Sequence, residues 1–139
     1  MGFNESVKSV FSKYATFSGR ASRSEYWYFV LFNVIITIPL FIVGAIIGAL
    51  LGSGETAMMT AFLVGYGLVG IYTLAIIIPS IAVAVRRLHD SGKSGWLYLL
   101  VLIPYLGGLV IFVFMLLESA PDNQYGPNPN KQGPVVEVY

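Results

Sequence analysis

Three stretches of this chain contain no Asp, Glu, Lys, Arg or His: residues 26–51, 57–85 and 96–117. They hold 26, 29 and 22 residues, and a helix needs about 20 apolar residues to cross the hydrocarbon core of a bilayer. A water-soluble domain would have to hide all three behind polar surface. Only 11% of the 139 residues are charged and 56% are hydrophobic, whereas soluble domains carry about 25% charged residues. The pattern specifies an all-α, polytopic membrane protein, one membrane domain over residues 1–139, with the lipid bilayer as its first partner.

The segments between the apolar runs are patterned. In residues 3–15, Phe3, Val7, Val10, Phe11 and Tyr14 recur at helical spacing, opposite Asn4, Ser6, Lys8, Ser9 and Lys13. A short amphipathic helix of this kind suits the headgroup layer; packing against the rest of the protein is the alternative. Ser22-Arg23-Ser24-Glu25 reads as a capping box, with Ser22 capping and Glu25 reaching back. Tyr26, Trp27 and Tyr28 follow where an aromatic belt belongs. The first apolar run starts too late and is too long for a cleavable signal, so it is expected to stay as an anchor.

Gly44, Gly48 and Gly52 place bare backbone on one face of the first run, which favours helix packing and argues only weakly for a homo-oligomer. Pro79 predicts a kink near the end of the second run, whose surplus length leaves its beginning for the interface. The third run contains Pro104 and Gly107-Gly108. Free backbone groups are costly in lipid, which favours a kinked span there over a re-entrant loop. Residues 118–139 read as an irregular tail, with an ordered turn at residues 123–127 and a flexible end.

Lysines and arginines set orientation. Lys8, Lys13, Arg20 and Arg23 precede the first run, Arg86, Arg87 and Lys93 follow the second, and the tail holds only Lys131. Three crossings then give a cytoplasmic N-terminus and an outside tail.

The polar residues worth testing gather on the cytoplasmic side: Arg20, Arg23, Glu25, Arg86, Arg87, His89, Asp90 and Lys93. Opposite charges there can pair, as Arg23 with Asp90 or Glu25 with Arg86. Helix-end cations need no function beyond anchoring. As a site, adjacent arginine forks and the loop Ser91-Gly92-Lys93-Ser94-Gly95 would suit anionic lipid headgroups or a membrane protein partner. Gly92-Lys93-Ser94 lacks the earlier glycine and the strand of a P-loop. His89-Asp90 has no nucleophile beside it, so a non-enzymatic protein is expected.

No cysteine and a single histidine leave no disulfide and no multi-histidine or thiolate metal site, and no cofactor is expected. A net charge of +1 offers nucleic acid no basic excess. Spans without ionisable groups argue against a pump. An oligomeric channel or a small accessory subunit of a transporter is the alternative, with Tyr66, Tyr72, Thr73 and Ser80 lining a shared path.

Three blocks carry a resemblance. Phe17-Ser18-Gly19-Arg20-Ala21-Ser22-Arg23-Ser24-Glu25-Tyr26-Trp27 comes first, then Arg86-Arg87-Leu88-His89-Asp90-Ser91-Gly92-Lys93-Ser94-Gly95-Trp96, then Asn123-Gln124-Tyr125-Gly126-Pro127-Asn128-Pro129. Together, in this order over roughly residues 10–130, they resemble the domain of unknown function 805 family of small bacterial inner-membrane proteins. The resemblance implies an integral protein of the bacterial cytoplasmic membrane. It implies no activity and carries over no catalytic residue.

Overall fold

The computed structural model describes residues 2–130. The expected flexible end, with Lys131, lies outside the described residues. The described residues form four α-helices and one 3₁₀-helix: α1 (Phe3–Ser12), α2 (Arg23–Leu51), α3 (Thr56–Asp90), the 3₁₀-helix Gly95–Leu102, and α4 (Leu106–Leu116). Among the described residues the only β-type pairing is an isolated bridge between Asn123 and Gly126.

Two of these helices are long and apolar enough to span a membrane, α2 with 29 residues and α3 with 35. At about 1.5 Å per residue they run about 43 and 52 Å, against a hydrocarbon core of about 30 Å. Their most apolar stretches are only 11% and 22% buried. A core helix of a soluble protein would be covered, so these bare apolar surfaces suit a lipid environment. Both Pro39 and Pro79 are accommodated inside unbroken helices. The surplus length of the second apolar run is therefore absorbed in one continuous α3, whose last turn carries Arg87 and His89.

The chain forms two compact units. One comprises residues 29–78, the facing parts of α2 and α3 joined by a tight turn. Gly54 (φ 56°) makes the turn, and Ser53 N–H donates to Thr56 Oγ1 at 3.1 Å. The glycine row explains how closely the helices approach. A Cβ on Gly44 would lie 2.8 Å from Gly65 Cα, and one on Gly48 would fall on the Thr60 carbonyl. The row faces α3 of the same chain. Thr60 Oγ1 donates across to Gly48 O at 2.7 Å, Phe41 packs edge-on against Tyr66, and Tyr72 Oη donates to Asn33 Oδ1 at 2.7 Å.

The other unit combines the residues up to Tyr28 with those from Pro79 onward. Its apolar core is Ala84, Leu88, Ile111 and Met115, with Tyr26, Trp27, Leu97, Leu100 and Phe114 against it. Here the third apolar run departs from the expected kinked span. It breaks into the 3₁₀-helix and α4, which pack on each other. Pro104 has no N–H to continue a helix, and Tyr105 takes a positive φ of 63°. Gly107 then lets α4 return directly over Leu100, because a Cβ there would fall on the Leu100 carbonyl oxygen. The two ends of the run meet again: Lys93 Nζ lies 5.4 Å from the Phe114 ring centroid, and Ala120 N–H donates to Asp90 O at 2.7 Å. The run is a helical hairpin.

α1 does not stand free. Ser6 and Val10 are buried, Phe3 packs edge-on against Tyr28, and Ser9 Oγ donates to Glu25 Oε1 at 2.8 Å. Its Lys8 and the following Lys13 stay exposed.

Candidate functional site

The segment Gly19–Ser22 lies against the end of α3. Ala21 N–H donates to Arg86 O at 2.9 Å, and Gly19 adopts a φ of 89° at the turn leading in. Ser22 then caps α2 by accepting Glu25 N–H at 3.3 Å. The other half of the expected capping box is absent. Glu25 turns its carboxylate inward, where Oε1 accepts from Arg86 Nη1 at 2.9 Å and from Ser9. Burial at 3% exposure makes a guanidinium a better partner than a single backbone N–H.

Asp90 is the second centre. Its Oδ1 accepts from Arg20 at 3.0 Å and its Oδ2 from Arg87 at 2.8 Å. Ser119 Oγ also donates to Oδ2. Arg20, Arg86, Arg87, Glu25 and Asp90 are all buried. Glu25 pairs with Arg86, one of the two pairings expected. The other, Arg23 with Asp90, does not form, because Arg20 and Arg87 already occupy both carboxylate oxygens.

Both arginines extend the network into the backbone. Arg20 donates to the carbonyls of Asp90 (2.9 Å), Pro121 (3.0 Å), Gly126 (3.2 Å) and Ala120. Arg87 donates to Met115 O at 3.2 Å and to Leu117 O. Trp27 Nε1 joins it at Met115 O at 3.1 Å, while exposed Arg23 reaches Leu116 O at a long 3.5 Å. The last carbonyls of α4 are thus covered by N–H donors and by cations that favour a helix C-terminus. Trp27, expected in an aromatic belt, instead bolts α4 to α2. A guanidinium stays charged in a protein.

The loop Ser91–Gly95 is committed to capping. Lys93 N–H donates to Leu88 O at 2.9 Å and Gly92 N–H to His89 O at 3.0 Å, with Gly92 at φ 80°. This is a Schellman end for α3, so these N–H groups are not free for a phosphate. Ser94 Oγ accepts from Trp96 N–H at 3.3 Å and opens the 3₁₀-helix.

His89 stands apart from the ion pairs. Its Nδ1 lies 2.9 Å from Gly19 O, and its ring stacks flat on Tyr125, with centroids 3.9 Å apart and planes 1° from parallel. The Asn123–Gly126 turn holds Tyr125 there: Asn123 Nδ2 donates to His89 O at 3.2 Å, and Tyr125 N–H donates to Asn123 Oδ1 at 2.9 Å. A cavity of about 500 Å³ opens beside this stack. Among the described residues no group of three or more His, Cys, Asp or Glu could hold a metal.

Sequence reasoning alone missed Ser9, Trp27, Ser119 and Asn123 as members of this network. The ordered turn expected at residues 123–127 and the third signature block pointed to Asn123 and Tyr125, without their partners.

The family described as "Protein of unknown function (DUF805)" matches residues 14–127. Inner membrane protein YhaH of Escherichia coli strain K12 is 39% identical over 121 residues, covering 86% of this chain and 92% of its own length. Inner membrane protein YhaI of the same strain is 38% identical over 122 residues, covering 87% and 92%. No solved structure matches. With all three signature blocks beginning inside the matched region, two long apolar helices and relatives of nearly equal length, this chain is a membrane protein that belongs to the DUF805 family.

Proposed function

We propose that this is a non-enzymatic protein of the cytoplasmic membrane that binds anionic lipid headgroups through the rim of its polar unit, on the cytoplasmic face. The carrying observation is the division of its cations. Arg20, Arg86 and Arg87 are buried and engaged inside the protein. Lys8, Lys13 and Arg23 are exposed, and the Ser9–Glu25 hydrogen bond holds α1 beside the start of α2. A cation next to an anionic leaflet contributes about 1 kcal/mol, so three together favour anionic lipid about a hundredfold.

Non-enzymatic character is supported by the fate of the one acid–base candidate. The Asp90 carboxylate is taken by Arg20, Arg87 and Ser119, and His89 Nδ1 by a backbone carbonyl. The two side chains therefore do not act on each other. The transport reading has less support, because Tyr72 Oη and Thr73 Oγ1 are spent on Asn33 and Val69 O.

The test is lipid retention by the full-length protein in nanodiscs containing phosphatidylglycerol and phosphatidylcholine, read by native mass spectrometry. Wild type should retain phosphatidylglycerol selectively, and Lys8→Gln/Lys13→Gln/Arg23→Gln should lose most of that selectivity. Equal selectivity in the two proteins would sink the reading. Crosslinking of a second protein at these three positions, without lipid selectivity, would replace it with a partner-binding role.

A further inference from the structure

The unit of residues 29–78 holds a polar side chain that is only half used. Tyr72 Oη meets one end of the Asn33 carboxamide. Whichever way that amide is turned, its other end has no partner among the described residues. Asn33 lies ten residues into α2, about 15 Å along its axis. A hydrocarbon core of about 30 Å centred on this helix begins about 7 Å in, so water and headgroups do not supply the missing bond. Asn33 lines a groove with Val30, Val34, Thr37 and Ile38. Thr37 and Ile38 carry it on to a second groove, walled by Phe41, Ile42, Tyr66 and Val69.

We propose that this groove is a homodimer interface, in which the Asn33 carboxamides of two copies pair across a two-fold axis. An acyl chain could fill the apolar part but carries no polar group at that depth. A second copy brings the missing group with it. A carboxamide has two N–H donors and a carbonyl with two lone pairs, and Tyr72 takes one of those lone pairs. Each Asn33 is therefore left able to donate and accept at once, which makes its partial charges self-complementary. The bilayer supplies the alignment: copies inserted the same way hold Asn33 at one depth, and a two-fold axis along the membrane normal brings the two together. Such an interface is isologous, so the two bonds form as a pair. Any other protein would have to place its own polar group at that level.

The apolar surroundings fit a helix contact. Val30, Val34, Thr37 and Phe41 recur at intervals of four, three and four, the spacing of helices that cross at about 20°. Val34, Ile38 and Ile42 are 45%, 55% and 51% exposed, so the contact would cover what the monomer leaves bare. The glycine row is excluded from this role, because α3 of the same chain already fills it.

The chain has no cysteine, so Val34→Cys reports on this face alone. Mild oxidation of native membranes should join full-length Val34→Cys chains into a disulfide dimer, while Ile71→Cys, exposed on α3 outside both grooves, should stay monomeric. Energy transfer between labelled full-length chains in phosphatidylethanolamine–phosphatidylglycerol vesicles, over a range of protein-to-lipid ratios, then measures the affinity. Asn33→Leu should weaken the dimer by roughly tenfold, the scale of two interhelical hydrogen bonds. Tyr72→Phe loses the same bond within the chain but keeps the carboxamide, so it should dimerise like wild type. Wild-type protein that stays monomeric at every ratio would overturn the proposal. So would an Asn33→Leu dimer as tight as wild type, or a Val34→Cys crosslink to a chain of different mass, since either gives the groove another occupant. Equal weakening by Asn33→Leu and Tyr72→Phe would also overturn it, by assigning the effect to the bond between α2 and α3.

Discussion

Asp90 is the residue on which the polar unit turns. It is fully buried and accepts from two guanidiniums and a serine hydroxyl. Arg20, through its other donors, carries that anchorage to Ala120, Pro121 and Gly126. Removing one partner of a buried pair leaves an uncompensated charge, at a cost of about 3–5 kcal/mol. Asp90→Ala strands two arginines at once and should fall at or above the upper end of that range. Asp90→Asn keeps the shape and an acceptor, so it should recover only part of the loss. Equilibrium unfolding in detergent micelles measures both, and an Asp90→Ala effect below about 1 kcal/mol would show that the network is dispensable to the fold. Among the described residues the network holds three guanidiniums against two carboxylates, and the buried Arg86 Nε and Nη2 find no hydrogen-bond partner. That spare donor capacity faces the protein interior. Arg86 is therefore a poor candidate for contacting an external headgroup, although its position in the sequence invites that role.

At the scale of elements, the legible features were those decided by nearby residues. The capped start of α2 rests on Ser22 three positions from Glu25, and the glycine row lies on one face of one helix. The hairpin at residues 95–117 was not decidable that way. Pro104 and Gly107-Gly108 mark a break, but the fate of the break depends on whether α4's last carbonyls find donors. Those donors are Arg23, Trp27 and Arg87, up to 93 positions away. A lipid-exposed re-entrant backbone is prohibitive, while one covered by protein is tolerated, and the cover is invisible to local pattern. The hairpin makes its own prediction. Gly107→Val places a side chain on the Leu100 carbonyl and should open it. Cysteines introduced at Lys93 and Phe114, which lie together at the base of the hairpin, should be joined by a short bis-maleimide with Gly107 in place. That crosslink should fall severalfold in Gly107→Val. Equal crosslinking would mean that the close approach of the two segments does not depend on glycine.

For the molecule as a whole, we propose that the hairpin replaces the third crossing. The 3₁₀-helix of 8 residues and α4 of 11 rise about 16 Å each, half the hydrocarbon thickness. Neither crosses alone, and the fold-back returns the chain to Asp90. The positive-inside rule could not reveal this, because the tail carries one lysine and gives almost no vote. The vote comes from Arg20, whose donors reach tail carbonyls at Ala120, Pro121 and Gly126. A guanidinium spans only a few ångströms, so we propose that the N-terminal segment and the beginning of the tail share one side of the bilayer. Two crossings, by α2 and α3, satisfy that condition, and a third would break it. Fusing a fluorescent reporter that matures only in the cytoplasm after Tyr139, and in parallel a phosphatase active only outside, tests the arrangement. We expect fluorescence without phosphatase activity, matching a fusion at the N-terminus. Phosphatase activity from the C-terminal fusion would reinstate the three-span path and would separate Arg20 from its tail partners by the full thickness of the membrane.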